Sequence, residues 1–301
     1  MPKIIITGGL GFIFSHVTEY FVKKGWDVIV IDNQGIGSHP EIIDGSFAYY
    51  NNNVEECEEL IKEINPEYII HAAAISDVDY SISHPRETIN KNCNATLAVF
   101  EAARKCTNLK KLLYVSTDEV YGECEYPKQE SDIIFPKNPY SMSKAYGSLL
   151  RIAYDNTYQE LKNKTCETRF CNVFGERQDP RKILGRIVQS FKDKTPIPVH
   201  NGGKGKREYI YVKNIPPIVE KILIEGDRVY NITLNSLLSV NQLIEIAEEV
   251  AGKKLNKKPS DRPGMDQIYQ MDNSRVFEFG WKPEYPLGEG LTSYFKNEKI
   301  I

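Results

Sequence analysis

The sequence contains few cysteines, and none of them is spaced for metal binding. Six cysteines stand among 301 residues, at positions 57, 93, 106, 124, 166 and 171. No two of them form a Cys-x-x-Cys pair, and no histidine pair with zinc-ligand spacing accompanies them. The sequence therefore predicts neither a metal site nor a disulfide framework, and the cysteines are expected to serve as small apolar residues.

Long apolar runs are also missing. The amino-terminal run Ile4–Ile6 is too short for a signal peptide, and no window reaches the roughly 20 apolar residues that span a bilayer. The formal net charge is −3, which does not favour a nucleic-acid partner. We therefore expect a cytoplasmic protein that binds neither membranes nor nucleic acids.

Apolar runs alternate with helix-period segments in the first half of the chain. The runs are rich in β-branched residues without polar alternation, which is typical of parallel strands buried on both faces. The predicted strands are Ile4–Thr7, Val28–Ile31, Tyr68–Ala74, Leu112–Ser116 and Thr165–Asn172. Right-handed crossovers between such strands predict an α/β fold with a doubly wound, Rossmann-like parallel sheet.

The second half of the chain is broken into shorter pieces by nine prolines after residue 176. One clear helix remains, with Ser239 and Gln242 as its capping box. We therefore expect a Rossmann-like domain over 1–175 and a smaller C-terminal substrate-binding lobe over 176–301, with interleaving of the two left open.

A glycine-rich turn, Thr7-Gly8-Gly9-Leu10-Gly11-Phe12-Ile13, lies between the first predicted strand and a helix. Glycines let the backbone turn tightly beside a pyrophosphate, and the helix N-terminus supplies N–H donors. Asp32 ends the next strand, where a carboxylate suits the ribose hydroxyls of NAD, and no arginine follows for the phosphate of NADP. The pattern predicts NAD, although Phe14 takes the place of the third glycine, which serves helix–strand packing.

A tyrosine and a lysine stand four residues apart at the start of a predicted helix. Tyr140 and Lys144 share one helical face. Because a nearby ammonium stabilises a phenolate, we expect a lowered Tyr140 pKa and a general base for a sugar hydroxyl, with Thr117 sharing that hydroxyl. Tyr-x-x-x-Lys is also common on helix surfaces, and the preceding dinucleotide pattern is what favours catalysis.

Two adjacent carboxylates, Asp118 and Glu119, follow the strand that ends at Ser116. Ligands bind in the crevice outside the carboxyl ends of parallel strands, so both are expected to face it. Different environments can leave one carboxyl protonated as an acid and the other ionised as a base. Adjacent acids on a loop are more often only solvated. The predicted location of this pair in the crevice is what favours a catalytic role.

Several further motifs share their sequences with one known family. The set comprises the turn Thr7–Ile13, His71-Ala72-Ala73-Ala74, Val78–Ile82, Ser116–Gly122, Tyr140 with Lys144, Asn172–Gly175, Asp261-Arg262-Pro263-Gly264 with Asp266 and Tyr269, and Gly280–Pro283. Together they resemble the extended short-chain dehydrogenase/reductase family, and within it the nucleotide-diphosphate-glucose 4,6-dehydratases. Ser116–Gly122 is the motif most typical of that branch.

The resemblance implies a reaction. Tyr140 takes the proton of the C4 hydroxyl while hydride passes from C4 to NAD⁺. The resulting ketone acidifies the C5 proton, which Glu119 removes, and Asp118 protonates the departing C6 hydroxyl. Hydride then returns to C6, which gives a 4-keto-6-deoxy sugar.

The resemblance also implies contacts. Those expected for NAD are Gly8, Gly11, Phe12, Ile13, Asp32, Asn33, Asn53, Val54, Ala73, Ala74, Ser116, Tyr140 and Lys144. Those expected for the nucleotide-diphosphate sugar are Ser76, Asp77, Asn172, Lys182, Arg207, Arg262 and Tyr269. Among the latter, Lys182, Arg207 and Arg262 are the candidate phosphate ligands.

Some positions depart from the family pattern. Ile75 and Asp77 replace a glutamate and a histidine, and Arg181 reverses a charge. These positions lie where the sugar or base would be recognised, so the nucleotide (dTDP, UDP, GDP or CDP) and the hexose stay open.

Two other functions share much of this pattern. An epimerase, decarboxylase or C4 dehydrogenase uses the same first step, but the Asp118–Glu119 pair favours elimination of water. An NAD-binding regulator without catalysis has no need of Tyr140, Lys144 and Thr117. The resemblance further implies a homodimer through the helices near 86–103 and 140–158, whose apolar residues suit an internal core equally well.

Overall fold

The structure is a computed structural model in which residues 1–35, 37–39, 45–261 and 268–301 are described. The strands are β1 (Lys3–Thr7), β2 (Asp27–Ile31), β3 (Ala48–Tyr50), β4 (Tyr68–His71), β5 (Lys111–Thr117), β6 (Thr165–Phe170), β7 (Asn172–Phe174), β8 (Ile197–His200), β9 (Lys206–Arg207), β10 (Tyr209–Tyr211), β11 (Val229–Ile232), β12 (Leu238–Ser239) and β13 (Lys257–Ser260). The helices are α1 (Phe12–Lys23), α2 (Glu58–Ile64), α3 (Val78–Ser83), α4 (Pro85–Ala103), α5 (Pro139–Thr157), α6 (Ile183–Asp193), α7 (Ile215–Glu225), α8 (Val240–Ala251), α9 (Ser274–Glu278) and α10 (Leu287–Asn297).

Seven parallel strands form the central sheet in the order β11-β6-β5-β4-β1-β2-β3. The chain reverses direction across the sheet between β1 and β4, because β2 and β3 lie on one side and β4 onward on the other. Such a reversal opens a crevice at the carboxyl ends of the strands. The predicted doubly wound, Rossmann-like fold is therefore confirmed.

Helices cover both faces of this sheet. Alternation along β1 sends Ile4 and Ile6 into the core shared with α1 and α7, whereas Ile5 joins the core beneath α2, α4 and α5. All three isoleucines are fully buried, which explains the unbroken apolar run. In the described part of the chain, no helix has the length and apolar character needed to cross a membrane.

Helix α5 lies unusually close to the sheet. A Cβ built on Gly147 would stand 2.2 Å from the Tyr114 ring of β5, so only glycine fits at this contact. The close approach fixes the height of the middle of α5 above the middle of β5.

Two predicted strands end earlier in the structure. The run Tyr68–Ala74 ends as a strand at His71, because the chain then passes directly over Gly8. The run Thr165–Asn172 divides into β6 and β7, and β7 leaves the sheet to pair with β10. The sheet also takes β11 from the second half of the chain, so the division into 1–175 and 176–301 stays a prediction.

Candidate active site

The glycine turn after β1 brings two backbone segments into contact. Gly8 has φ +70°, and a Cβ there would lie 2.7 Å from the Ala73 backbone. Its N–H donates to the Ile31 carbonyl at 2.9 Å, which ties β1 to β2. Helix α1 then starts after Gly11 without a side-chain cap or an acidic residue in its first turn. A helix N-terminus with neither feature suits an anion such as a dinucleotide pyrophosphate, which fits the predicted role of Phe12 and Ile13.

Asp32 lies at this same turn. Its carboxylate is 6% exposed and accepts from the Leu10 N–H at 3.1 Å, from the Gln34 N–H at 2.9 Å and from the Ser38 hydroxyl at 3.1 Å. A ribose hydroxyl bound here would replace the Ser38 hydroxyl as donor. The predicted neighbours Asn33, which is exposed, and Asn53, which is half-buried, share a hydrogen bond of 3.1 Å.

The other predicted NAD contacts differ in burial. Val54 is buried in a 3-10 turn that packs on α4 and shares a core with β2, whereas Ala73 and Ala74 are half-buried beyond the end of β4. Ser116 is 4% exposed near the end of β5, and its hydroxyl has no hydrogen-bond partner among the described residues. The Phe14 ring is buried in the core on the inner side of α1, so the missing third glycine is accommodated by packing.

The acidic pair is held in a 3-10 turn, Asp118–Tyr121, directly after β5. Thr117 caps this turn, because its hydroxyl accepts from the Glu119 N–H at 3.3 Å. The same hydroxyl donates to the Asp118 carboxylate at 3.0 Å. Thr117 therefore sets the position of both acids, a role that the sequence did not indicate.

Asp118 and Glu119 have different surroundings. Burial, with Glu119 next to it, raises the pKa of Asp118 to about 7. Glu119 is half-buried, and its carboxylate accepts from the Asn138 side-chain amide at 2.9 Å. Asp118 is thus able to carry a proton near neutral pH, as an acid requires.

Asn138 was not identified from the sequence as a site residue. It caps α5 by accepting from the Ser141 N–H at 2.8 Å, and its amide also holds Glu119. Asparagine directly before Pro139 is a signal for a helix N-terminus, so the cap was detectable. The contact with Glu119 was not, because 19 residues separate the pair.

Tyr140 and Lys144 project from α5 as predicted, but the pKa of Tyr140 differs from the expectation. Burial, together with Glu119 and Asp118, raises the pKa of the phenol, whereas the contact with Thr117 lowers it. Burial lowers the pKa of Lys144 to about 8. Its ammonium lies 4.9 Å from the centroid of the Tyr114 ring. In the chain alone, the nearby carboxylates and the loss of solvent therefore decide the Tyr140 pKa.

The loop with Ser76 and Asp77 is tied to α5. The Asn92 side chain accepts from the Ile75 N–H at 2.8 Å and donates to the Ser143 hydroxyl at 2.9 Å. Asp77 caps α3 and forms an ion pair of 3.1 Å with Arg181. Two of the three departures from the family pattern, Asp77 and Arg181, thus contact each other.

The remaining predicted sugar-nucleotide contacts lie between residues 172 and 269 of the chain. Asn172 begins β7, Lys182 directly precedes α6, and the Arg207 guanidinium stacks over the Tyr269 ring at 4.3 Å. Arg262 and the motif residues up to Asp266 fall outside the described residues.

Glu208, next to Arg207, is a second buried carboxyl that the sequence did not indicate. It is 1% exposed and accepts from the Met271 N–H at 2.9 Å, and burial raises its pKa to about 7. Its backbone carbonyl also accepts from the Asn172 N–H at 3.2 Å. Glu208 therefore connects the segments that carry Arg207, Asn172 and Tyr269.

Comparisons with known proteins agree with this geometry. The model of the NAD dependent epimerase/dehydratase family matches residues 4–233. The low-salt glycan biosynthesis protein Agl12 of Haloferax volcanii is 33% identical over 300 residues, which cover 96% of this chain and 96% of that protein.

Solved structures of both reaction types have the same fold. The UDP-glucose 4-epimerase of Thermotoga maritima, with UDP-glucose, has a TM-score of 0.90 at 29% identity and covers 98% of this chain and 99% of its own. The dTDP-glucose 4,6-dehydratase DesIV of Streptomyces venezuelae, with NAD bound, has a TM-score of 0.88 at 26% identity and covers 98% of this chain and 96% of its own. These similarities confirm the resemblance seen in the motifs and the expectation of NAD as the cofactor. The chain belongs to the NAD-dependent epimerase/dehydratase family.

Proposed function

We propose that the protein is a nucleotide-diphosphate hexose 4,6-dehydratase that acts on a dTDP-glucose-like substrate. The observation that carries this proposal is the acidic pair after β5. Burial raises the Asp118 pKa to about 7, whereas Glu119 is held by the Asn138 amide. An acid and a base side by side suit elimination of water, which simple oxidation and reduction at C4 do not require.

The side chains divide the reaction between them. Tyr140, beside the buried Lys144 and in contact with Thr117, accepts the proton of the C4 hydroxyl. NAD⁺ held at the Gly8–Ile13 turn and Asp32 would supply the acceptor for the C4 hydride and its donor to C6. Glu119 removes the C5 proton, which the C4 ketone has acidified, and Asp118 gives its proton to the C6 hydroxyl, which leaves as water. A proton returned to C5 as hydride reaches C6 completes the 4-keto-6-deoxy sugar.

The proposed substrate-binding residues divide between sugar and nucleotide. Ser76, Asp77 and Asn172 contact the hexose, and Tyr269 holds the nucleotide. Lys182, Arg207 and Arg262 bind the diphosphate, since the arginine fork matches phosphate oxygens. The stacking of Arg207 on Tyr269 supports this role, because it fixes the guanidinium plane.

The experiment is an incubation with dTDP-glucose and with UDP-glucose, with products identified by NMR. A 4-keto-6-deoxy sugar from either substrate supports the proposal, whereas a C4 epimer without loss of water supports the epimerase alternative. In the E119Q variant, which keeps an acceptor for Asn138, we expect C4 oxidation to proceed and elimination to stop. Full turnover by E119Q would contradict the role of Glu119.

We also propose a homodimer through α4 and α5. These helices pack on each other, and Leu97, Leu149 and Ile152 remain 37%, 57% and 45% exposed on them. Leu149 and Ile152 are three residues apart and so share one helical face. Light scattering is expected to give the mass of a dimer for the native chain and of a monomer for L149E/I152E; a native monomer would refute this assembly.

A further inference from the structure

A row of buried polar side chains crosses the sheet beneath α5. Thr7, His71, Tyr114 and Glu167 occupy paired register positions on β1, β4, β5 and β6. Each is fully buried. The row begins at the glycine turn and ends below the middle of α5, so it connects the predicted cofactor site with the helix that carries Tyr140.

Glu167 is the charged member of this row. The Thr7 hydroxyl and His71 Nδ1 are 2.8 Å apart, and burial, with the Lys144 ammonium nearby, lowers the His71 pKa to about 3. The Tyr114 phenol donates to the Lys144 carbonyl at 2.9 Å, and burial raises its pKa. Both rings are therefore neutral at physiological pH. Burial raises the Glu167 pKa, but Arg169 and Arg151 outweigh it and leave this pKa below its usual range.

Lys144 faces this row from above. Its ammonium stands over the Tyr114 ring, and Glu167 is the register partner of Tyr114 on β6. One turn further along α5, the Ser148 hydroxyl donates to the Glu167 carboxylate at 2.7 Å. The groups around Lys144 are thus His71 from β4, Tyr114 from β5 and Glu167 from β6, with Tyr140 on its own helix.

The other contacts of Glu167 lead to the acidic turn. The carboxylate accepts from Arg169 Nε at 2.7 Å and from Arg151 Nε at 3.3 Å. Arg169 Nη1 donates to the Tyr121 hydroxyl at 2.6 Å, and this hydroxyl donates to Asn231 at 2.9 Å. Tyr121 ends the same 3-10 turn that holds Asp118 and Glu119. The Glu167 carboxylate is therefore linked to α5 through Ser148 and to the acidic turn through Arg169 and Tyr121.

We propose that Glu167 is a positioning residue which keeps Lys144 as an ammonium and anchors the turn of Asp118 and Glu119 through Arg169. The link to catalysis rests on the proposed function. A buried ammonium needs an opposing charge, because desolvation favours the neutral amine. Among the influences on Lys144, burial lowers its pKa and Glu167 raises it.

The first test is the variant E167Q, which keeps the size of the side chain and removes its charge. We expect the Lys144 pKa, measured by NMR on lysine-labelled protein with K144R for assignment, to fall by about one unit or more. As the pH is raised, the affinity for NAD⁺, measured by calorimetry, and the rate of C4 oxidation are expected to decline at a lower pH in E167Q than in the native chain. The pH profile of C4 oxidation reports on the Tyr140–Lys144 pair, because Asp118 takes no part in that step.

The matched control is S148A, which removes a hydrogen bond to the same carboxylate and leaves the charge. We expect a lower melting temperature for S148A but an unchanged Lys144 pKa. A second variant, E167D, serves if E167Q does not fold. It retains the charge and withdraws the carboxylate by one methylene, so a smaller fall in the Lys144 pKa is expected.

An unchanged Lys144 pKa in whichever of E167Q and E167D folds would overturn the proposal. The NMR and NAD⁺ measurements need no sugar substrate. If the pKa falls in the variants while no nucleotide sugar is converted, Glu167 keeps its role toward Lys144 and the dehydratase assignment fails instead.

Discussion

Replacing Asp118 with asparagine is expected to stabilise the protein at alkaline pH and to have little effect at acidic pH. Asp118 is 6% exposed, and burial beside Glu119 raises the pKa of its carboxyl from 3.8 to about 7. In acid the carboxyl is protonated in the folded and the unfolded chain alike. An amide of the same shape therefore changes little there.

The magnitude follows from proton linkage. Between these two pKa values the folded chain binds more protons than the unfolded chain, so its free energy of unfolding falls as the pH rises. Each pKa unit corresponds to about 1.36 kcal/mol, so the native chain loses about 4 kcal/mol by pH ~8. D118N has no titrating group at this position and does not lose this stability.

Urea unfolding followed by circular dichroism at several pH values measures the effect. The advantage of D118N is expected to grow by about 1.4 kcal/mol per pH unit between pH ~5 and ~7, and then to level off. The control is D193N, at an exposed carboxylate whose pKa is lowered by hydrogen bonds, where no stabilisation at high pH is expected. If the difference in free energy of unfolding between D118N and the native chain does not vary with pH, the Asp118 pKa is not raised in the folded chain.

Three further predictions concern the packing of α5, the cofactor turn and the ion pair of Arg181 with Asp77. G147A is expected to destabilise the fold by about 1–3 kcal/mol or more, because its Cβ would lie 2.2 Å from Tyr114, whereas G288A, with open space around its Cβ, is expected to raise the melting temperature. G8A is expected to weaken NAD⁺ binding in calorimetry, since its Cβ meets the Ala73 backbone; G25A, with a similar positive φ and no such contact, lowers stability alone, and equal NAD⁺ affinities would contradict this. R181Q is expected to leave the melting temperature nearly unchanged, because the guanidinium is exposed, and to raise the KM for the nucleotide sugar. An unaltered KM would show that the ion pair of Arg181 with Asp77 does not contribute to sugar binding.

The features that were predictable from the sequence are those written in short stretches of chain. The turn from Gly8 to Ile13 and the spacing of Tyr140 and Lys144 depend on local geometry, so a strand–glycine–helix pattern and a four-residue interval identify them. The capping box of Ser239 and Gln242 is confirmed for the same reason.

Features that depend on distant pairing were not predictable. Asp77 and Arg181 were noted separately as departures from the family pattern, and only the fold brings them within 3.1 Å. The strand β11 lies in the half of the chain that was assigned to the lobe, and its place is set by pairing with β6. The prediction of a lowered Tyr140 pKa was wrong for the chain alone, because burial and two carboxylates from another element raise this pKa.

Incubation with dTDP-glucose in D₂O distinguishes elimination at C5 and C6 from oxidation and reduction at C4 alone, because a proton removed from C5 by Glu119 exchanges with solvent before it is replaced. If elimination follows C4 oxidation, the product is a 4-keto-6-deoxy sugar with deuterium at C5. A C4 epimer that retains its C6 hydroxyl and carries no deuterium at C5 would show that the enzyme does not eliminate water.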